Sequence, residues 1–194
     1  GNMDPIILIN KIDLVDKASD EEKNLYEETC ACYSKLGFPF LKVSTTSGQG
    51  IDELLKHMQG KTSVFSGQSG VGKSSLINAA IGTSLATGEV IEKTKKGMHT
   101  TTTAQLIPLS GGGFVVDTPG VKSFGIWDIK PSDIRLYFPD LHELSHHCQY
   151  PNCSHLHEPG CAVKAALNEG TLSALRFESY SALMTSVSEK HKPR

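Results

Sequence analysis

The sequence predicts an α/β fold, a mostly parallel sheet with helices, followed by a small helical domain. Three observations predict it. Short apolar runs alternate with stretches of helical periodicity across residues 5–117. The glycine-rich stretch Gly67-Gln68-Ser69-Gly70-Val71-Gly72-Lys73-Ser74 stands between one such run and one such helix. Beyond Trp127 the composition turns to His, Cys and Pro, with no strand-like run.

In order along the chain, Pro5–Asn10 (PIILIN) is a continuous apolar run, as a buried parallel strand would be. A helix is expected over about Asp20–Leu36, stopped by Gly37 and Pro39. Pro39–Ser44 reads as a second strand. Ile51, Leu54, Leu55 and Met58 fall on one helix face. Thr62–Ser66 is a third strand and Lys73–Ile81 the helix after the glycine-rich loop. Thr103–Leu109 and Gly113–Asp117 read as two strands joined at Ser110-Gly111-Gly112. A domain boundary is placed near Phe124–Pro131, giving domains 1–127 and 128–194.

The 194 residues allow one full domain and a small second one. Hydrophobic content of 38% and charged content of 21% fit a globular chain. The net charge of −2 gives no global basic field, though local patches still act. No apolar run approaches the roughly 20 residues that span a bilayer, so no membrane partner is expected. Five cysteines split into Cys30 with Cys32, and Cys148, Cys153 and Cys161 among histidines. An odd, clustered set reads as reduced thiols and metal binding rather than disulfides.

Gly67-x4-Gly72-Lys73-Ser74 follows a strand and opens a helix, the context a phosphate loop requires. Its glycines let backbone N–H groups approach phosphate oxygens, and the helix N-terminus adds a positive dipole end. Lys73 is expected on the β- and γ-phosphates and the Ser74 hydroxyl on Mg²⁺. Gln68, Ser69, Gly70, Val71 and Ser75 complete the candidate phosphate cradle.

Asn10-Lys11-x-Asp13 closes the first strand. A carboxylate at Asp13 accepts two hydrogen bonds from guanine N1–H and the exocyclic amine, a pair adenine does not offer. Asn10 and the Lys11 stem frame the ring, and Ser44-Thr45 at the next strand end closes the pocket. Asp117-Thr118-Pro119-Gly120 follows an apolar strand. Asp117 is expected to hold Mg²⁺ through water, and the Gly120 N–H to meet the γ-phosphate. Between the loops lies Thr94–Thr103, whose threonines, Thr101 and Thr102 foremost, are candidates for Mg²⁺ and γ-phosphate contact. Val121 holds the position after D-x-x-G, where a Gln orients the attacking water in many GTPases. His99 is then the titratable candidate for that task, against the plain alternative of a surface histidine.

The base-reading motif precedes the phosphate loop, the reverse of the usual GTPase order. The chain therefore resembles a circularly permuted P-loop GTPase. Cys148-x4-Cys153-x-His155-x5-Cys161 adds three thiolates and an imidazole within fourteen residues, the donor set of a closed structural zinc site. His146, His147 and His157 compete for the fourth ligand position.

With Gly97-Met98-His99-Thr100-Thr101-Thr102 added to these motifs, the chain resembles the ribosome small-subunit-dependent GTPase A family. These are the circularly permuted bacterial GTPases of small-subunit assembly. The resemblance implies a cytoplasmic, Mg²⁺-dependent and monomeric hydrolase of GTP to GDP. It would carry one structural zinc, bind the 30S subunit and its 16S rRNA late in maturation, and leave after hydrolysis. It also implies an N-terminal OB-fold, and a strand and helix ahead of Asn10. Neither stands before Pro5, and a sheet without that strand holds a central slot that packing does not tolerate. The chain is therefore expected to be a stretch of a longer protein. A metal-delivering GTPase and a non-hydrolysing, nucleotide-dependent scaffold are the rival readings.

Overall fold

A computed structural model describes residues 3–85, 105–117 and 129–190. The chain divides into two compact units, residues 1–24 with 38–124, and residues 25–37 with 125–194.

In the first unit, β1 (Ile7–Asn10) pairs in parallel with β2 (Phe40–Val43), Ile7 opposite Phe40 and Asn10 opposite Val43. A second sheet has the order β3-β5-β4. Here β3 (Thr62–Val64) runs parallel to β5 (Phe114–Asp117), and β4 (Gln105–Pro108) antiparallel to β5. The strands are shorter than the apolar runs at Pro5 and Pro39, because proline brings no N–H to a ladder. β1 and β3 lie in different sheets.

The helices take their bounds from local chemistry. Ser19 and Glu22 form a reciprocal box at the head of α1 (Asp20–Tyr33), Ser19 N donating to Glu22 Oε2 (2.8 Å) and Glu22 N to Ser19 Oγ (3.3 Å). α1 ends three residues before Leu36, in a tight turn where Leu36 N meets the Tyr33 carbonyl, ahead of Gly37 at φ +78°. α2 spans Ile51–Met58. α3 spans Lys73–Leu85, four residues beyond the expected end, since Gly82 weakens a helix without stopping it. Ile51, Leu54 and Met58 of α2 bury with Leu41, Val43, Leu76, Ile77 and Val115 as one core.

In the second unit, a 3-10 segment (Pro131–Tyr137) leads to α4 (Pro139–Ser145). A long loop then leads to α5 (Ala162–Asn168) and α6 (Ala174–Lys190). Ile134, Phe138, Leu141, Val163, Tyr180 and Met184 form its core, with Cys153 and Cys161 inside it. The Arg176 guanidinium is buried, 4.6 Å from the Phe138 ring centre and 5.4 Å from that of Tyr33. It makes two 2.9 Å hydrogen bonds to the Asp140 carboxylate, which offset the cost of taking the charge out of water. No strand occurs among the described residues of this unit. Among the described residues, no helix is long and apolar enough to cross a membrane.

Candidate functional site

The Asn10–Asp13 motif and the glycine-rich loop meet in the first unit, although some sixty residues separate them. Asn10 ends β1, and Lys11 takes a left-handed conformation (φ +67°) that turns the chain into a 3-10 segment, Ile12–Lys17. Asn10 Nδ2 donates to the Val71 carbonyl (2.9 Å), and Lys11 Nζ to the Gly70 carbonyl (2.6 Å). The approach is so close that a Cβ at Gly72 (φ +96°) would overlap the Asn10 amide nitrogen. Only glycine meets both demands.

Asp13 is oriented from the far side. Ser44, fully buried at the end of β2, donates through Oγ to Asp13 Oδ1 (2.5 Å). The same Oγ accepts from the N–H groups of Thr46 (3.2 Å) and Ser47 (3.1 Å). One hydroxyl thus fixes both the carboxylate and the loop holding Thr45. Asn10 Oδ1 is buried with no partner, a polar atom of this motif that no protein group satisfies.

Within the glycine-rich loop, Lys73 Nζ donates to the carbonyls of Gly67 (2.7 Å) and Gln68 (2.8 Å). An anion in the loop competes for that ammonium. Gln68, Ser69, Gly70, Ser74 and Ser75 are exposed. Asp117 ends β5, whose Val116 pairs with Val64 of β3, the strand that feeds the loop. His99, Thr101, Thr102, Gly120 and Val121 lie outside the described residues.

In the second unit, the donor atoms of Cys148, Cys153, His155 and Cys161 all lie within 4.8 Å of one another. His155 Nδ1 is 3.5 Å from the sulfurs of both Cys148 and Cys161, and those sulfurs are 3.9 Å apart. A tetrahedral zinc with its usual bond lengths sets sulfur–sulfur edges of about 3.8 Å and sulfur–nitrogen edges of about 3.6 Å. The cluster fits. Burial and the neighbouring sulfurs push the Cys153 thiol up to about 12. A bound cation would favour the thiolate form that ligates a metal. Burial lowers the His155 pKa, favouring the neutral imidazole a metal requires. Of the competing histidines, His146, His147 and His157 are exposed and none belongs to the cluster.

Sequence reasoning missed the groups that hold this loop. Glu158 accepts from Ser154 N (2.8 Å), Ser154 Oγ (3.0 Å) and His157 N (3.2 Å). Burial opposes its charge, but these bonds prevail and hold the carboxyl at about 2. Tyr180 Oη donates to the Ser154 carbonyl (3.0 Å), and Arg135 to that of Pro151 (3.0 Å). His155, fully buried and left-handed at φ +65°, lies with its ring centre 5.8 Å from that of Tyr180. A Ser-x3-Glu spacing inside the Cys148–Cys161 loop was the available signal.

The RsgA GTPase family model matches residues 1–127. The small ribosomal subunit biogenesis GTPase RsgA of Bacteroides fragilis is 40% identical over 179 residues, 92% of this chain and 57% of that protein. Two solved structures are similar at 34% identity. YjeQ from Thermotoga maritima has a TM-score of 0.74, covering 100% of this chain and 62% of that one. YloQ, described as a circularly permuted GTPase, has a TM-score of 0.73, covering 98% and 58%. The chain thus spans a little over half the length of the curated relative it matches. With Asn10–Asp13 ahead of Gly67–Ser74 and a Cys₃His cluster behind, the chain belongs to the RsgA GTPase family.

Proposed function

We propose that this chain is the nucleotide-handling and metal-binding part of a GTP-hydrolysing factor of the small ribosomal subunit. The factor binds the 30S subunit and its 16S rRNA as a cytoplasmic monomer, acts late in maturation and leaves after hydrolysis. The observation carrying the reading is the preassembled pocket. Asn10 and Lys11 are bonded to the phosphate-loop carbonyls, and Asp13 is aimed by a buried Ser44. Such preorganisation lowers the ordering cost of binding.

In this reading Asn10, Lys11, Asp13, Ser44 and Thr45 take the guanine, and Gly67–Ser75 the phosphates. Ser74, Thr101 and Asp117 would hold Mg²⁺, which neutralises phosphate charge. Lys73 leaves its two carbonyls for the β- and γ-phosphate oxygens. His99 is the candidate for positioning the attacking water, since Val121 has no group to do so. Cys148, Cys153, His155 and Cys161 would hold one structural zinc, whose closed donor set leaves no open position for catalysis.

The test is GTP hydrolysis by the purified chain with and without small ribosomal subunits, beside a His99→Ala variant in single turnover. Subunit-stimulated hydrolysis, reduced on the order of 100-fold by the variant, is the expected result. Tight GTP binding with no turnover in either condition would move the reading to a nucleotide-dependent scaffold. Wild-type rates in the variant would remove His99 from catalysis.

A further inference from the structure

We propose that His142 and His146 form a second transition-metal site, separate in its ligands from the Cys₃His cluster. Residues 142–146 read His-Glu-Leu-Ser-His, the H-E-x-x-H spacing that puts two imidazoles on one helical face. α4 runs to Ser145, and His146 continues its conformation at φ −65°, ψ −18°, so the spacing is realised in helical geometry. The ring centres of His142 and His146 lie 4.8 Å apart, with 64° between the ring planes.

That separation falls in the range a shared ion would set. A metal–nitrogen bond of about 2.1 Å plus the ring radius puts each centre about 3.2 Å from the ion. Two such rings at a cis angle of about 90–110° then stand roughly 4.5–5.2 Å apart. The bare aromatic alternative, an edge-to-face contact, also allows this distance. A second observation favours the ion. His142 Nδ1 is buried and has no hydrogen-bond partner, a donor atom the fold leaves unused. His146 is exposed and gives an ion from solvent access to the pair.

No third His, Cys, Asp or Glu donor joins the pair among the described residues. Water then completes the coordination, and the site is weaker than the cluster. Two imidazoles suit borderline divalent ions such as Ni²⁺, Cu²⁺ or Zn²⁺, whereas Mg²⁺ and Ca²⁺ want oxygen. A protease-type centre is not implied, since that chemistry needs a third protein ligand beside the catalytic Glu. Thiolates outcompete imidazole for zinc, so the pair fills only after the cluster.

The test titrates Ni²⁺ into the zinc-loaded chain while imidazole signals are followed by NMR and bound zinc is assayed. Paramagnetic Ni²⁺ should broaden His142 and His146 together, before His57, His147 or His157, with zinc retained. His146→Gln changes only an exposed side chain and should abolish the selective broadening of His142. Broadening that begins at another histidine, or survives unchanged in His146→Gln, would overturn the site and leave an aromatic contact. His147→Gln is the control and should change nothing.

Discussion

The side-chain amide of Asn10 donates to the carbonyl of Val71 (2.9 Å), joining the end of β1 to the middle of the glycine-rich loop. Lys11 repeats the bond one residue earlier in the loop, at Gly70 (2.6 Å). Whatever orders Asn10 and Lys11 therefore also orders the loop. In permuted chains the two motifs exchange order in sequence, but this contact depends only on their meeting in space.

Gly72 is where that contact is tightest. Gly72→Ala sets a Cβ against the Asn10 amide and asks alanine to hold φ +96°. A left-handed non-glycine residue alone costs about 1–2 kcal/mol. Guanine nucleotide affinity should fall by ~10-fold or more. Titration with a fluorescent GDP analogue measures it, and an unchanged affinity would mean the loop does not bind in this conformation.

Asp13→Asn should turn preference from guanine towards xanthine nucleotides. The amide presents a donor where guanine also donates, while xanthine offers an oxygen there. The substitution also removes the carboxylate that Ser44 Oγ holds at 2.5 Å, so overall affinity should drop as well. Parallel GTP and XTP titrations decide between base reading and a purely structural Asp13–Ser44 bond.

Much of this was legible because the motifs are local. Gly67–Ser74, Asn10–Asp13 and the cysteine spacing are each readable from residues close together in the chain. The strand–helix alternation marked the fold class for the same reason. The supporting contacts are not local. Arg176 reaches Asp140 across 36 residues and Tyr180 reaches the Ser154 carbonyl across 26, and nothing in either neighbourhood marks its partner. Glu158 is different: it lies four residues from Ser154, but a carboxylate beside Pro159-Gly160 reads equally well as a solvated turn. Helix ends drifted by three or four residues, where glycine competes with propagation.

Cys153→Ala should unfold the second unit and spare the first. Cys153 is both a core side chain and one of the four donors, so its loss opens a void and breaks the site. Metal binding is folding free energy in small domains of this kind. The expected result is loss of bound zinc and of NMR dispersion for residues 129–190, with guanine nucleotide binding persisting. A variant that keeps its zinc and its fold would remove the cluster from the metal role.

Glu158→Gln should lower stability by about 1–2 kcal/mol at neutral pH, since the amide faces donors that a carboxylate accepts. The pH dependence gives the sign. The carboxyl sits at about 2 when folded, against 4.5 for an unperturbed group. A depressed pKa contributes stability that is present above 4.5 and is lost as pH falls towards 2. The glutamine side chain of the variant does not titrate, and acid strips metal from both proteins alike. The gap between wild-type and variant thermal midpoints should therefore be constant from pH 7 down to about 5, then narrow steadily in acid. A gap that stays constant through about pH 3 would assign the effect to side-chain shape. The charge on Glu158 would then contribute nothing to holding His155 in its left-handed turn.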